Sequence, residues 1–155
     1  MHDFNEIWEE YQECNHRLIE LDFKIIELVS KYENAGGIDY SKIPNEPTGI
    51  NLQLFYVEYK REIEEEQRAL NLRRLALKNE LESMIRARIK GDMHRQCARK
   101  RIIDMKKSDM IARELGYSES HIRTVVSDVF RHIKKKDNQK SAEISANNQE
   151  KTTNT

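Results

Sequence analysis

The chain has 155 residues, with 27 Lys and Arg against 27 Asp and Glu, five His, two Cys, one Trp, five Gly and two Pro. Charged residues make up 35% and apolar residues 37%, too little apolar surface for a large spherical core but enough for the seam of a coiled coil. Gly and Pro are too scarce for a turn-rich β-sandwich or barrel, and no run approaches the roughly 20 apolar residues that cross a membrane.

The composition predicts an all-α protein, and its first element is clear. Phe4, Ile7, Tyr11, Cys14, Leu18, Leu21, Ile25, Leu28 and Tyr32 alternate at spacings of three and four, the a/d seam of a left-handed coiled coil. Trp8, Ile19, Phe23, Ile26 and Val29 widen the apolar face beyond that seam, so more than one partner helix is expected on it. Gly36 and Gly37 stop the helix, and Ile38 to Gly49, with Pro44 and Pro47, reads as a loop. A second helix starts near Ile50 or Asn51. Leu52, Tyr56, Tyr59, Ile63, Leu70, Leu77 and Met84 keep the heptad, while Leu81 and Ile85 lie one place off it. Residues 1–90 therefore read as an antiparallel helical hairpin with its loop at 35–50, thin enough that self-association into a homo-oligomer is expected.

The zero net charge averages two opposite halves. Met1 to Ile50 carries 11 acids and four bases, whereas Met84 to Lys136 carries 15 Lys and Arg against six Asp and Glu, a net +9. Such asymmetry points one end of the chain at a polyanion.

Spacing within Ile102 to Ile133 gives that end a structure. Ala112 precedes Gly116 by four residues, Ile122 follows after six more and Val125 after another three. In a helix-turn-helix the small residue sits where two helices cross closest, and the glycine ends the first helix where positive φ is needed. Ile111, Leu115, Tyr117, Ile122 and Val125 are expected to hold the helices together. Ser118 is expected to cap the second helix, and Glu119 puts a carboxylate at its positive end. An ordinary helical hairpin with a glycine turn would share part of this pattern.

Arg101-Ile102-Ile103-Asp104, Ile111-Ala112-Arg113-Glu114-Leu115-Gly116-Tyr117-Ser118 and Ile122-Arg123 resemble the C-terminal DNA-binding domain, region 4, of bacterial sigma-70-type factors. The branch most like it occurs in small phage proteins that regulate late transcription, which also place an acidic helical segment first. The resemblance covers roughly Met93 to Ile133. It departs at Met105 and Lys107, where the family often has Gly and Ser. The segments with which complete sigma factors read the promoter element nearer the start site are not found, so a complete sigma factor is not implied. The resemblance implies a DNA-binding domain over 91–136 in which Glu119, Ser120, His121, Arg123 and Thr124 meet DNA.

The residue chemistry points the same way. Glu119, Ser120, Arg123, Thr124 and Ser127 fall on the outward face that would enter a major groove, and the cap Ser118 is expected to meet DNA with them. Arg123 suits guanine O6 and N7, and Ser120 and Thr124 suit phosphates or either base type. His121 fits a capping or phosphate role as well as base contact. Lys106, Lys107, Arg131 and Lys134 flank the pair and suit phosphates. Asp137 to Thr155 holds only Ile144 as a large apolar residue, so a disordered tail is expected over 137–155.

Other chemistries lack their parts. His94 with Cys97, and Cys14 with His16, are half-sites without a second half for zinc, so no metal and no cofactor are expected. No base–nucleophile arrangement or phosphate-cradling glycine loop appears, which argues against an enzyme. Met1 to Glu10 lacks a signal peptide's basic start and apolar run, and Cys14 and Cys97 do not make a disulfide framework. A cytoplasmic protein is expected, in a bacterial host if phage-encoded. The function expected is a sequence-specific transcription regulator on double-stranded DNA, its hairpin dimerising or contacting RNA polymerase. The alternative is a DNA-packaging oligomer of the small-terminase kind, although those usually place the DNA-binding module first. A coiled-coil adaptor is a third option.

Overall fold

The computed structural model describes residues 3–32 and 49–152. Those residues are all-helical, with five α-helices, one π turn and no strand among them. α1 spans Phe4–Tyr32 and α2 spans Gly49–Arg88. α3 spans Asp92–Ala98 and runs directly into the π turn, Arg99–Ile103; α4 spans Ser108–Leu115 and α5 Glu119–Thr152. The expected loop lies mostly over 33–48, outside the described residues.

The chain divides into two compact units, one of Met1–Tyr11 with Ala76–Thr155 and the other of Gln12–Leu75. The boundary drawn from sequence at residue 90 does not coincide with this division. The missed contributors to the first unit are the opening turns of α1 and the last turns of α2.

In the second unit, Leu21 and Leu28 of α1 and Ile63 of α2 form a core, with Ile25, Tyr56, Tyr59 and Leu70 packed against them. Arg17 donates to Glu66 at 2.7 Å and Gln67 to Asp22 at 2.8 Å across this pair. The ion pair holds the Arg17 guanidinium above its usual pKa and the Glu66 carboxyl below its own. The seam positions Cys14, Leu21 and Leu28 are buried as expected, but the residues that widen the face, Ile19, Phe23 and Ile26, are exposed.

The first unit is sealed more densely. Asp3 accepts the Glu6 backbone N–H at the start of α1, and Phe4, Ile7 and Tyr11 are buried, as are Leu77, Leu81, Ile85 and Ile89. Leu77, Leu81 and Ile85 of α2, with Ile89 just beyond it, repeat every four residues. The heptad expected to end on Met84 therefore gives way to a stripe one place over, since a straight helix of 3.6 residues per turn drifts away from a seven-residue repeat. Arg95 donates to the carbonyls of Ile89 (2.8 Å) and Arg86 (3.3 Å), satisfying acceptors at the C-terminal end of α2. The Tyr11 hydroxyl donates to the Ile103 carbonyl at 2.8 Å, tying α1 to the end of the π turn.

The tail differs from expectation. Asp137 accepts the Phe4 N–H at 3.0 Å and pairs with Arg88 at 2.7 Å, where the Arg88 side chain is only 9% exposed. The helix continues to Thr152 rather than stopping at Lys136. No Gly or Pro follows Ile133 to break it, while Glu143 and Ala146 are exposed. No helix among the described residues is long and apolar enough to cross a membrane.

Candidate nucleic-acid interface

α4 and α5 meet at a turn that sequence spacing anticipates. α4 ends on Gly116, whose φ of 75° and ψ of 29° are left-handed. The N–H groups of Gly116 and Tyr117 both donate to the Ala112 carbonyl, at 2.9 and 3.1 Å. A Cβ on Gly116 would meet nothing within 4 Å, so the glycine is there for its backbone angle and not for space. Ala112 is buried with Ile111, Ile122, Val125, Val126, Val129 and Ile133. Ser118 accepts the His121 N–H at 3.2 Å through its hydroxyl, and the Ile122 N–H at 3.1 Å through its carbonyl, which caps α5.

One expected core residue points outward. Tyr117 is 50% exposed, and its ring lies against His121 with centroids 5.4 Å apart. The residue after a left-handed glycine leaves the helix axis, so counting helical positions through the turn misassigns its direction.

Ser118, Glu119, Ser120, His121, Arg123, Thr124 and Ser127 are all exposed. Glu119 holds Arg123 at 2.5 Å, four residues along the same helix. The Thr124 hydroxyl donates to the Ser120 carbonyl at 3.1 Å, leaving its oxygen lone pairs outward. The opposite face of this helix carries the buried Ile122, Val125, Val126 and Val129.

The flanking bases are held in different ways. Lys107 is exposed in the extended N-cap position of α4, with no side-chain cap. Arg131 pairs with Asp128, and the Lys134 ammonium sits 5.5 Å from the centre of the Phe130 ring. Lys106 is engaged internally, because it and Lys100 both reach Glu114 at 2.5 Å. Those two hydrogen bonds hold the Glu114 carboxyl below its usual range and the Lys106 ammonium above its own. The segment between them contains Met105 with a φ of 54°, left-handed backbone that costs a non-glycine residue roughly 1–2 kcal/mol. The Lys–Glu–Lys clamp closes over this bend.

Phe4, Trp8 and Phe130 form an aromatic cluster behind the interface, with Phe4 stacked on Trp8 at 5.7 Å and Trp8 tilted on Phe130 at 5.2 Å. Arg101 lies about 6 Å from the Trp8 and Phe130 rings. Sequence reasoning gave no sign that the first two turns of α1 buttress α5. Elsewhere, a cavity of about 460 Å³ is bordered by Arg88, His94 and His132. Asp137 pairs with Arg88 there, and Asp128 lies 3.9 Å from His94. Cys14 and Cys97 are buried, and burial pushes the Cys97 thiol up. Among the described residues no three His, Cys, Asp or Glu side chains converge.

Comparison with protein families, with characterised proteins and with solved structures finds no match.

Proposed function

We propose that the protein is a sequence-specific DNA-binding transcription regulator. On this reading α4, the Gly116 turn and α5 form a helix-turn-helix of the sigma-70 region 4 kind, and α1 with α2 forms a hairpin that self-associates or contacts RNA polymerase. The observation that carries the reading is the start of α5. Every side chain there that faces water is polar, on a helix whose other face is sealed by aliphatic residues, within a segment of net charge +9. The left-handed Met105 adds support, since it falls where the resembling family often has glycine.

The chemistry follows from the side chains. α5 enters the major groove and Arg123 exchanges Glu119 for guanine O6 and N7. Ser120 and Thr124 meet phosphates or base edges, and His121 lies at the groove's margin beside Tyr117. Lys107, Arg131 and Lys134 neutralise phosphates and set the register. Lys106 joins them when it gives up Glu114.

The test uses duplexes selected by the purified protein, compared with scrambled ones at several salt concentrations. Arg123→Ala should cost about 1–3 kcal/mol on the selected duplex and little on the scrambled one. Lys134→Ala should weaken both alike and lower the salt slope by about one unit. Equal losses on both duplexes for Arg123→Ala would mean that α5 does not read sequence. A wild-type protein without preference would point instead to a packaging or adaptor role.

A further inference from the structure

Glu119 is the one acid between Ser118 and Ser127, at the start of α5, and it is exposed. The segment around it, Met84 to Lys136, carries a net +9. A carboxylate on the leading turn of a helix that enters a groove repels phosphates, so it weakens binding to every DNA alike. The dipole of α5 favours a negative charge in that turn, but this benefit does not depend on DNA sequence. A repulsive element of this kind is useful where it discriminates among partners.

The geometry gives it the means. A Glu119 carboxylate oxygen lies 2.5 Å from an Arg123 guanidinium nitrogen, with the two side chains 47% and 70% exposed. Four residues span about 6 Å of helix, close to two base-pair steps. When Arg123 turns to guanine O6 and N7, the carboxylate loses its donor at the edge of the bases. An ionised carboxylate only accepts hydrogen bonds. In the major groove guanine and thymine offer only acceptors, and adenine sets N7 beside its amino group. Cytosine offers its N4 amino group without a neighbouring acceptor.

We propose that Glu119 is a specificity-determining residue that accepts from the N4 amino group of a cytosine, in a G·C pair one or two steps from the guanine held by Arg123. The inference rests on the reading of α5 as a recognition helix and names the second base that it reads. Without that cytosine the carboxylate keeps Arg123, so each contact depends on the other. Base changes at the two positions should then cost less together than the sum of their separate costs.

Selection of randomised duplexes by the full chain tests this, followed by titration on duplexes changed at one base pair or two. The position whose preference Arg123→Ala abolishes marks the guanine. Wild type should select a second G·C pair within two steps of it, and replacing that pair by A·T should weaken binding roughly 5- to 150-fold. Glu119→Ala should remove that preference and bind scrambled duplexes at least as tightly as wild type. Glu119→Gln should take adenine there at least as well as cytosine, because an amide suits N6 and N7. Circular dichroism checks that each variant folds. A Glu119→Ala chain that keeps every base preference would overturn the proposal: a lower melting temperature alone would assign the carboxylate to the helix dipole, and a uniform gain on all duplexes to phosphate repulsion. A wild type with no base preference at all would sink the recognition-helix reading itself, whereas preferences that survive Glu119→Ala sink only the role of Glu119.

Discussion

The two units are built from the same kind of helix and differ in what they bury. Among the described residues the first unit buries 18 apolar side chains and leaves only Met110 and Tyr117 exposed as large apolar groups. The second buries four, Cys14, Leu21, Leu28 and Ile63, and exposes eight. In the second unit two long helices each hide one stripe, whereas the short helices of the first hide nearly every apolar side chain among the described residues. The difference is one of geometry more than of composition, and it separates a core that hides its apolar side chains from one that leaves many of them exposed.

The largest effect expected from this contrast comes from deleting side-chain atoms at equivalent leucines. Leu81→Ala, at a fully buried position, should lower unfolding free energy by about 2–5 kcal/mol. Leu72→Ala, at a position 72% exposed, should change it by less than about 0.5 kcal/mol in a monomer. Urea unfolding of both variants checks this, and similar losses would erase the distinction between the units.

Truncation sharpens the limits of the first unit. Removing 138–155 should leave its stability nearly unchanged, while removing 137–155 should cost about 2 kcal/mol or more. The second cut strips Arg88 and the Phe4 N–H of their carboxylate. Paired thermal melts separate the two, and identical curves would show that Asp137 carries nothing.

A smaller loss is expected at the turn. Gly116→Ala should cost about 1 kcal/mol, through the left-handed φ alone, because a Cβ meets nothing there. A loss well above that would mean that space as well as angle is restricted.

The smallest effect is electrostatic and is read against pH. Glu114 is held below its usual value of 4.5 by Lys100 first and Lys106 second. Its contribution is therefore present above that usual value and is lost as pH falls through the lowered one. Lys106 is shifted the other way, so its share is present below the usual 10.5 and is lost as pH rises through the raised value. Glu114→Gln should unfold at lower urea than wild type near neutrality, and the gap should close as pH falls below the usual 4.5 through the lowered value. A gap independent of pH would assign the effect to packing.

Local signals carried well from sequence to structure, and non-local ones did not. The α1 seam follows from periodicity, and the Ala112–Gly116–Ser118 turn follows from residues whose roles are set by backbone angle and cap chemistry. The exposed face of α5 follows from the same helical count. That count fails across the left-handed Gly116, so Tyr117 is exposed where the spacing places it in the core. A heptad carried through α2 ends on Met84, whereas the helix buries Leu81 and Ile85, one place off that repeat. The Lys100–Glu114–Lys106 clamp, the Asp137 tie and the seat of Phe4 and Trp8 against Phe130 join residues 14, 8, 133 and more than 120 positions apart. No pattern in a single sequence announces such meetings. The Glu119–Arg123 pair is the exception, since its four-residue spacing is readable in the sequence, and it competes with the proposed base contact.

The aromatic seat of Trp8 makes the molecule optically convenient. It is the chain's one tryptophan, stacked on Phe4 and tilted against Phe130, all within the first unit. Its emission therefore reports only that unit, while far-ultraviolet dichroism sums helices from both. Following the two signals through one denaturant titration gives each unit its own melting curve from an unlabelled protein, and coincident curves would mark a single cooperative transition.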